Sequence, residues 1–248
     1  MIFPIGDDNS DRVTTPYVNY LFLALNILVY FAFQSTDERF TYAWATVPQE
    51  IVTGTDIARP VVVEDPVSGD RLGIPLQPTP GSVYLTLLTS MFMHGGFLHL
   101  FGNMLYLWIF GDNVEDDLGH ARYAVFYLLC GVLASLAHVV TNTDSVIPSL
   151  GASGAISGVL GGYILLHPHR RVHALVLRGF VTQVPGWVAV GLWFVLQLIS
   201  GLGMLGRGAQ AGGVAYAAHI GGFIAGLALV KLFALGRPRR PAPAYRRH

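Results

Sequence analysis

Charge is scarce in this sequence. Only 12% of its 248 residues are Asp, Glu, Lys or Arg, against about 25% in an ordinary soluble domain. So few charges cannot cover the surface of a soluble chain of this size, which argues against a soluble cytosolic enzyme. The same composition excludes an intrinsically disordered chain. Net charge is absent as well: 15 Lys and Arg balance 15 Asp and Glu. No positive field exists to gather a polyanion, so no nucleic-acid partner is expected. Cysteine is reduced to Cys130, which excludes an intrachain disulfide framework and any Cys-rich zinc site. Acids are nearly missing from the second half, where only Asp144 follows Asp117.

What is abundant is apolar. Hydrophobic residues make up 52% of the chain, and mean hydropathy is +0.51. Six apolar stretches recur, near Tyr17–Phe33, Phe97–Phe110, Tyr123–Val140, Gly154–Leu166, Trp187–Leu205 and Val214–Leu235. The expected fold class is therefore an all-α polytopic membrane protein with six transmembrane helices, its main partner the lipid bilayer. A spanning helix needs about 20 apolar residues, and the second and fourth stretches fall short. Asp7, Asp8 and Asp11 precede the first stretch. A signal peptide wants a positive start, so the first stretch is read as a retained helix. The division expected is a cytoplasmic tail over 1–16, a membrane domain over 17–235 and a basic tail over 236–248. The long outer loop, 34–83, holds seven acids and is too polar to span. Tyr42 and Trp44 are its candidate interfacial anchors.

Basic residues set the orientation. With the N-terminus inside and six spans, the inner segments hold eleven of them: Arg12, Arg122, Arg170, Arg171, Arg178, Lys231, Arg237, Arg239, Arg240, Arg246 and Arg247. The outer segments hold four, Arg39, Arg59, Arg71 and Arg207. Both termini are expected to be cytoplasmic, in a plasma membrane of bacterial type. His167, His169 and His173 fall with Arg170 and Arg171 in an inner loop read as solvated.

Polar residues within a bilayer are costly, so each is a functional candidate. His99 and Asn103 lie in the second stretch, Ser153 opens the fourth, and His219 lies early in the sixth. In this topology all three helices run inward, so the four residues share one depth near the outer side. Ser153 to Leu166 spans about 21 Å at 1.5 Å per residue. A 30 Å hydrocarbon core would then place Ser153 about 9 Å below the outer boundary. Glycines at 154, 158 and 162, and at 222 and 226, would let the fourth and sixth helices approach closely. Ser153 and His219 could then come within hydrogen-bond reach, a nucleophile and its base. His99 and Asn103, four apart on one face, are candidate donors to an oxyanion, as is the Ser153 amide. No acid is placed to complete a triad, so a dyad is expected, with His219 oriented by packing.

Simpler readings compete. Ser153 could be a small residue in a tight bend, and the histidines interhelical glue. His94 and His99 lack a carboxylate or cysteine to complete a metal set; no metal and no cofactor is expected. A zinc protease would want His-Glu-x-x-His, which is missing. An aspartyl protease would need two aspartates inside helices, and none of the six stretches contains one.

At these residues the sequence resembles the rhomboid family of intramembrane serine proteases, from about Val83 to Leu232. The carrying elements are His99-Leu-Phe-Gly-Asn103, Glu115 with Gly119, Gly151-Ala152-Ser153-Gly154, and Ala218-His219 followed by Gly222 and Gly226. Ala45-Thr-Val-Pro48 resembles the start of the family's membrane-associated first loop. The resemblance implies a six-helix rhomboid-like bundle that hydrolyses peptide bonds in or near transmembrane segments of protein substrates. Ser153 would be the nucleophile and His219 the base. His99, Asn103 and the Ser153 amide would form the oxyanion site. Some members carry an aromatic four residues after the nucleophile; here Ser157 stands there, which leaves the orientation of His219 open. A non-catalytic rhomboid-like binder or chaperone of transmembrane helices is the alternative. A small-solute transporter is disfavoured, because neither mid-membrane charges nor repeat symmetry is visible. Substrate identity and oligomeric state are not legible.

Overall fold

The computed structural model describes residues 3–64, 69, 71–176, 179–204 and 215–237. Strand β1 (Phe3–Asp7) leads into α1 (Tyr17–Val29), which widens into a π-turn over Tyr30–Gln34. The segment after α1 then folds α2 (Glu38–Trp44), α3 (Pro48–Thr53), β2 (Val61–Glu64) and β3 (Arg71–Ile74). A short helix α4 (Thr86–Thr89), flanked by 3-10 turns, precedes α5 (Phe97–Leu118), α6 (His120–Thr141) and α7 (Ser153–Leu166). Strands β4 (Arg171–Leu175) and β5 (Val181–Pro185) separate α7 from α8 (Gly186–Met204), and α9 (Tyr216–Phe233) follows. The fold is mostly helical, with short strands at its margins.

Three helices are long and apolar enough to cross a membrane: Tyr17–Gln34, His120–Thr141 and Tyr216–Phe233. A fourth candidate is the pair Val83–Phe92 and Phe97–Leu118, bent by 79° at its break. Ser153–Leu166 and Gly186–Leu202 are shorter apolar helices. Each of the six apolar stretches thus lies on a helix. Val214 and Leu205, at the edges of two of them, lie outside the described residues. So do Arg178, Arg207 and the basic residues beyond Arg237.

α7 is the central helix. Ten of its fourteen residues, Gly154 to Tyr163, are buried, which is why it needs no polar face. Its glycines meet those of α9 backbone to backbone. A Cβ on Gly222 would fall 2.1 Å from the Gly154 carbonyl oxygen, and one on Gly226 would fall 2.0 Å from that of Gly158. α6 closes the other side, with Cys130 against Gly158 and Ala134 against Gly154. Cys130 is buried and free, a small core residue. α5 carries Phe110, whose ring meets Tyr163 edge-on at 4.9 Å.

The acidic end of α5 departs from expectation. The helix does not stop at Phe110 but continues through Asp112, Glu115, Asp116 and Asp117, so aspartates do lie within a helix. These acids are tied to the N-terminal segment. Arg12 pairs with Asp112, and the Thr14 amide donates to Asp116 at 2.8 Å. Glu115 accepts from the Val18 and Asn19 amides at 2.9 and 2.7 Å, satisfying the open first turn of α1. It also meets His120 at 2.5 Å.

The N-terminal stretch is likewise no free tail. β1 pairs antiparallel with β4, Phe3 opposite Leu175 and Asp7 opposite Val172, and β4 pairs with β5. Arg170, read as solvated, is buried. Its guanidinium donates to the Asp8 carbonyl, to Asp11 at 2.6 and 2.8 Å and to Asn113 at 2.9 Å. His167 Nε2 lies 2.8 Å from Asp117. Hydropathy could not show this, because Asp8 and Asp11 lie more than 150 residues from Arg170 and Asp117 lies 50 from His167.

The outer segment is ordered around a small core of Val47, Ile74 and Leu76. Tyr42, expected to anchor at the membrane interface, packs against that core. Trp44 packs on Phe40 at 6.3 Å. A backbone bridge between Thr46 and Ser149 fastens this segment to the turn before α7.

Two expectations follow. Gly226→Val forces α7 and α9 apart, so it lowers stability by about 2 kcal/mol or more, read as a fall in detergent Tm. Asp7 gives a pH signature. Burial, and then the nearby Asp112 carboxylate, push its carboxyl from 3.8 up to about 7. The folded state therefore holds this proton more tightly than the unfolded state. The resulting stability is fully present below 3.8 and is lost as pH rises through about 7. Asp7→Asn removes the effect, so its Tm advantage over the parent grows as pH rises between those limits. A constant difference would contradict this assignment.

Candidate active site

The turn before α7 is built by glycine. Gly151 adopts φ +133°, a region side chains rarely occupy, and its amide donates to the Ser90 carbonyl at 2.9 Å. Ser90 is held in turn by the Thr46 hydroxyl at 2.9 Å. The chain then enters α7 with Ser153 as its first residue. The amides of a helix's first turn have no intrahelical partner, so the Ser153 N–H stands at a positive helix end.

The α7–α9 packing decides the rest. With Gly222 against Gly154, one turn of α9 sets His219 over the start of α7. His219 Nε2 lies 2.7 Å from Ser153 Oγ. The other ring nitrogen, Nδ1, lies 2.8 Å from Gln197 Oε1 on α8. Sequence reasoning missed Gln197. A polar amide inside the fifth apolar stretch was its only signal. The expectation that packing alone orients His219 is therefore incomplete: a hydrogen bond orients it too, from an amide and not a carboxylate. Aromatic packing also comes from unexpected places. Trp193 lies 6.0 Å from the His219 ring and Tyr216 meets it edge-on at 6.3 Å. Ser157, which stands where an aromatic was sought, instead donates to the Ser153 carbonyl at 2.6 Å.

His99 reaches the same place from α5. A Cβ on Gly151 would fall 3.2 Å from His99 Nε2 and 3.5 Å from Ser153 Oγ, so one open point adjoins both groups. His99 Nδ1 accepts from the Gly95 amide at 3.3 Å. A neutral imidazole accepting at Nδ1 carries its proton on Nε2, the nitrogen that faces this point. Asn103 is buried, and its Nδ2 has no hydrogen-bond partner. An unmade buried donor costs about 1–3 kcal/mol. Ser153, His219 and His99 are thus brought together, and Asn103 lies one turn along α5 from His99.

The surroundings suit small groups. A cavity of about 20 Å³ adjoins Ser153, walled by Met91, Gly131, Ala134 and Ala155 and edged by Ser90 and Ser135. That volume is of the order of one water. The His94 ring lies 5.2 Å from that of His99. Its backbone is clamped on both sides by the Gln34 side chain, at 2.8 and 3.2 Å. Among the described residues, no three His, Cys, Asp or Glu side chains are arranged to hold a metal.

The space beside Gly151 yields a test. Gly151→Ala places a methyl between His99 and Ser153 on a strained backbone. The rate of Ser153 labelling by a fluorophosphonate should fall by about 10- to 100-fold, since misplacements of about 1 Å cost that much.

Comparison with known proteins identifies the family. The Rhomboid domain model matches residues 81–235, more than half of the chain. Over 147 residues the chain is 34% identical to Rhomboid protein 1, mitochondrial, of Saccharomyces cerevisiae, covering 58% of this chain and 40% of that protein. It is 34% identical over 156 residues to the Rhomboid protease GluP of Bacillus subtilis, covering 63% and 27%. RHOMBOID-like protein 5 of Arabidopsis thaliana is 31% identical over 143 residues, covering 58% and 42%. The chain spans less than half the length of these relatives. From its apolar helices and this domain match, the chain is an integral membrane protein and belongs to the rhomboid family.

Proposed function

We propose that this protein is an intramembrane serine endopeptidase acting on transmembrane protein substrates through a Ser153/His219 dyad. The observation that carries the reading is the 2.7 Å approach of His219 Nε2 to Ser153 Oγ, between helices whose backbones touch. Ser153 Oγ attacks the scissile carbonyl carbon as its proton passes to His219 Nε2. The carbonyl oxygen becomes an anion and settles among three donors: His99 Nε2–H, Asn103 Nδ2–H and the Ser153 amide. The C–N bond breaks and the amine leaves with the proton from His219. A water, activated by the same imidazole, then hydrolyses the acyl-enzyme, and the cavity beside Ser153 has room for it. The small residues around Ser153 favour a small side chain before the cut. A substrate helix must unwind to present its carbonyl, so helix-weak segments are preferred.

The proposed topology is six spans in a plasma membrane, both termini cytoplasmic and the site near the outer face. Two observations support it. Eleven of fifteen basic residues fall on the inner side. The three-stranded sheet also joins the N-terminus to the segment between α7 and α8, which requires an even number of crossings between them.

The test uses detergent-purified protein and a membrane-spanning reporter. Ser153→Ala and His219→Ala should each lower cleavage by at least about 10³-fold. Asn103→Ala should lower kcat by about 10²-fold with KM little changed. A parent that neither cleaves the reporter nor labels at Ser153 with a fluorophosphonate would overturn the reading in favour of a non-catalytic binder of transmembrane helices.

A further inference from the structure

We propose that Gln197 is a positioning residue for the base, making the site a Ser153–His219–Gln197 relay; this rests on the protease reading above. His219 has two ring nitrogens and both are engaged, Nε2 with Ser153 Oγ at 2.7 Å and Nδ1 with Gln197 Oε1 at 2.8 Å. An amide oxygen only accepts. It therefore requires the imidazole proton to sit on Nδ1, leaving the Nε2 lone pair directed at the serine hydroxyl. Without that acceptor the neutral ring is free to adopt the other tautomer, with Nε2–H pointing at Ser153 and unable to take its proton. When His219 accepts the serine proton, the same carbonyl dipole faces the Nδ1–H of the imidazolium and favours the charged form.

The amide is held in place by its own helix. Trp193, Phe194 and Gln197 lie three and four residues apart, on one face of α8, and that face meets α9. Phe194 stacks on Phe223 at 4.0 Å with 16° between planes. Trp193 lies 6.0 Å from His219 and 6.4 Å from Phe223. This aromatic stripe fixes the azimuth of α8 and hence the reach of Gln197. The sequence also explains why an amide fills the role. Only Asp144 follows Asp117, and a carboxylate here would bury a second ionisable group in an apolar bundle at considerable cost. A neutral amide orients the ring without that cost. Because Ser153, His219 and Gln197 come from α7, α9 and α8, the base is aligned only while α8 is docked on α9.

The experiment compares the full-length parent, Ser153→Ala, Gln197→Leu and Gln197→Glu in detergent, by reporter cleavage across pH and by fluorophosphonate labelling of Ser153. Gln197→Leu should lower kcat by about 10- to 100-fold, slow labelling in parallel and leave KM within about twofold. Gln197→Glu should retain more activity than Gln197→Leu and move the acidic limb of kcat/KM to higher pH, because a carboxylate favours the imidazolium more than an amide does. The inference is overturned if Gln197→Leu labels and turns over like the parent. It is equally overturned if Gln197→Leu loses activity while the Gln197→Glu profile coincides with that of the parent, which marks a merely structural contact. Should Gln197→Leu fail to fold, the Gln197→Glu profile decides alone. A parent that does not label at Ser153 would instead sink the protease reading itself.

Discussion

Backbone-to-backbone contact between α7 and α9 is the constraint on which the rest of this molecule depends. Where Gly222 lies under the Gly154 carbonyl, no side chain of any size is admissible. That closeness brings a serine and a histidine 66 residues apart to hydrogen-bond distance. In a bilayer, lipid tails are as apolar as leucine, so helices gain little by hiding apolar surface from them. They associate through close packing and interhelical hydrogen bonds. The same glycines therefore serve stability and the candidate site at once, and Ser153 and His219 meet beside that contact.

Around that contact the molecule is stapled at both ends by polar groups. On one side Glu115 caps α1, while Arg170 gathers Asp8, Asp11 and Asn113 beneath the three-stranded sheet. On the other, Gln34 clamps the His94 backbone, and Thr46 and Ser149 bridge the outer segment to the turn before α7. These links replace lost hydration with internal partners, the condition under which buried polar groups are tolerated. The exceptions are informative. Asn103 Nδ2, one turn along α5 from His99, is among the buried atoms without a hydrogen-bond partner.

The candidate site was legible to an unusual degree because intramembrane polar residues are expensive and thus conspicuous. His99, Asn103, Ser153 and His219 stood out against apolar helices, and equal depth followed from counting. Gln197 escaped the same reasoning, because a lone amide in an apolar run carries no motif and no charge. Ser157 and Trp193 show the matching limit. Serine four residues after Ser153 suggested a missing aromatic, yet aromatics arrive from α8 and from Tyr216, which no local spacing on α7 could reveal.

By itself, the sequence determined that this is a helical membrane protein, where its apolar helices lie, and which polar side chains stand out as candidates for chemistry. Composition, run length and the cost of buried polarity act locally and can be read along the chain. Only the tertiary structure decided that the N-terminal stretch is a strand against β4, that the acidic end of α5 is the anchor of α1, and that Gln197 faces His219. These are pairings across long sequence separations, set by helix azimuth and strand register, and hydropathy is blind to both.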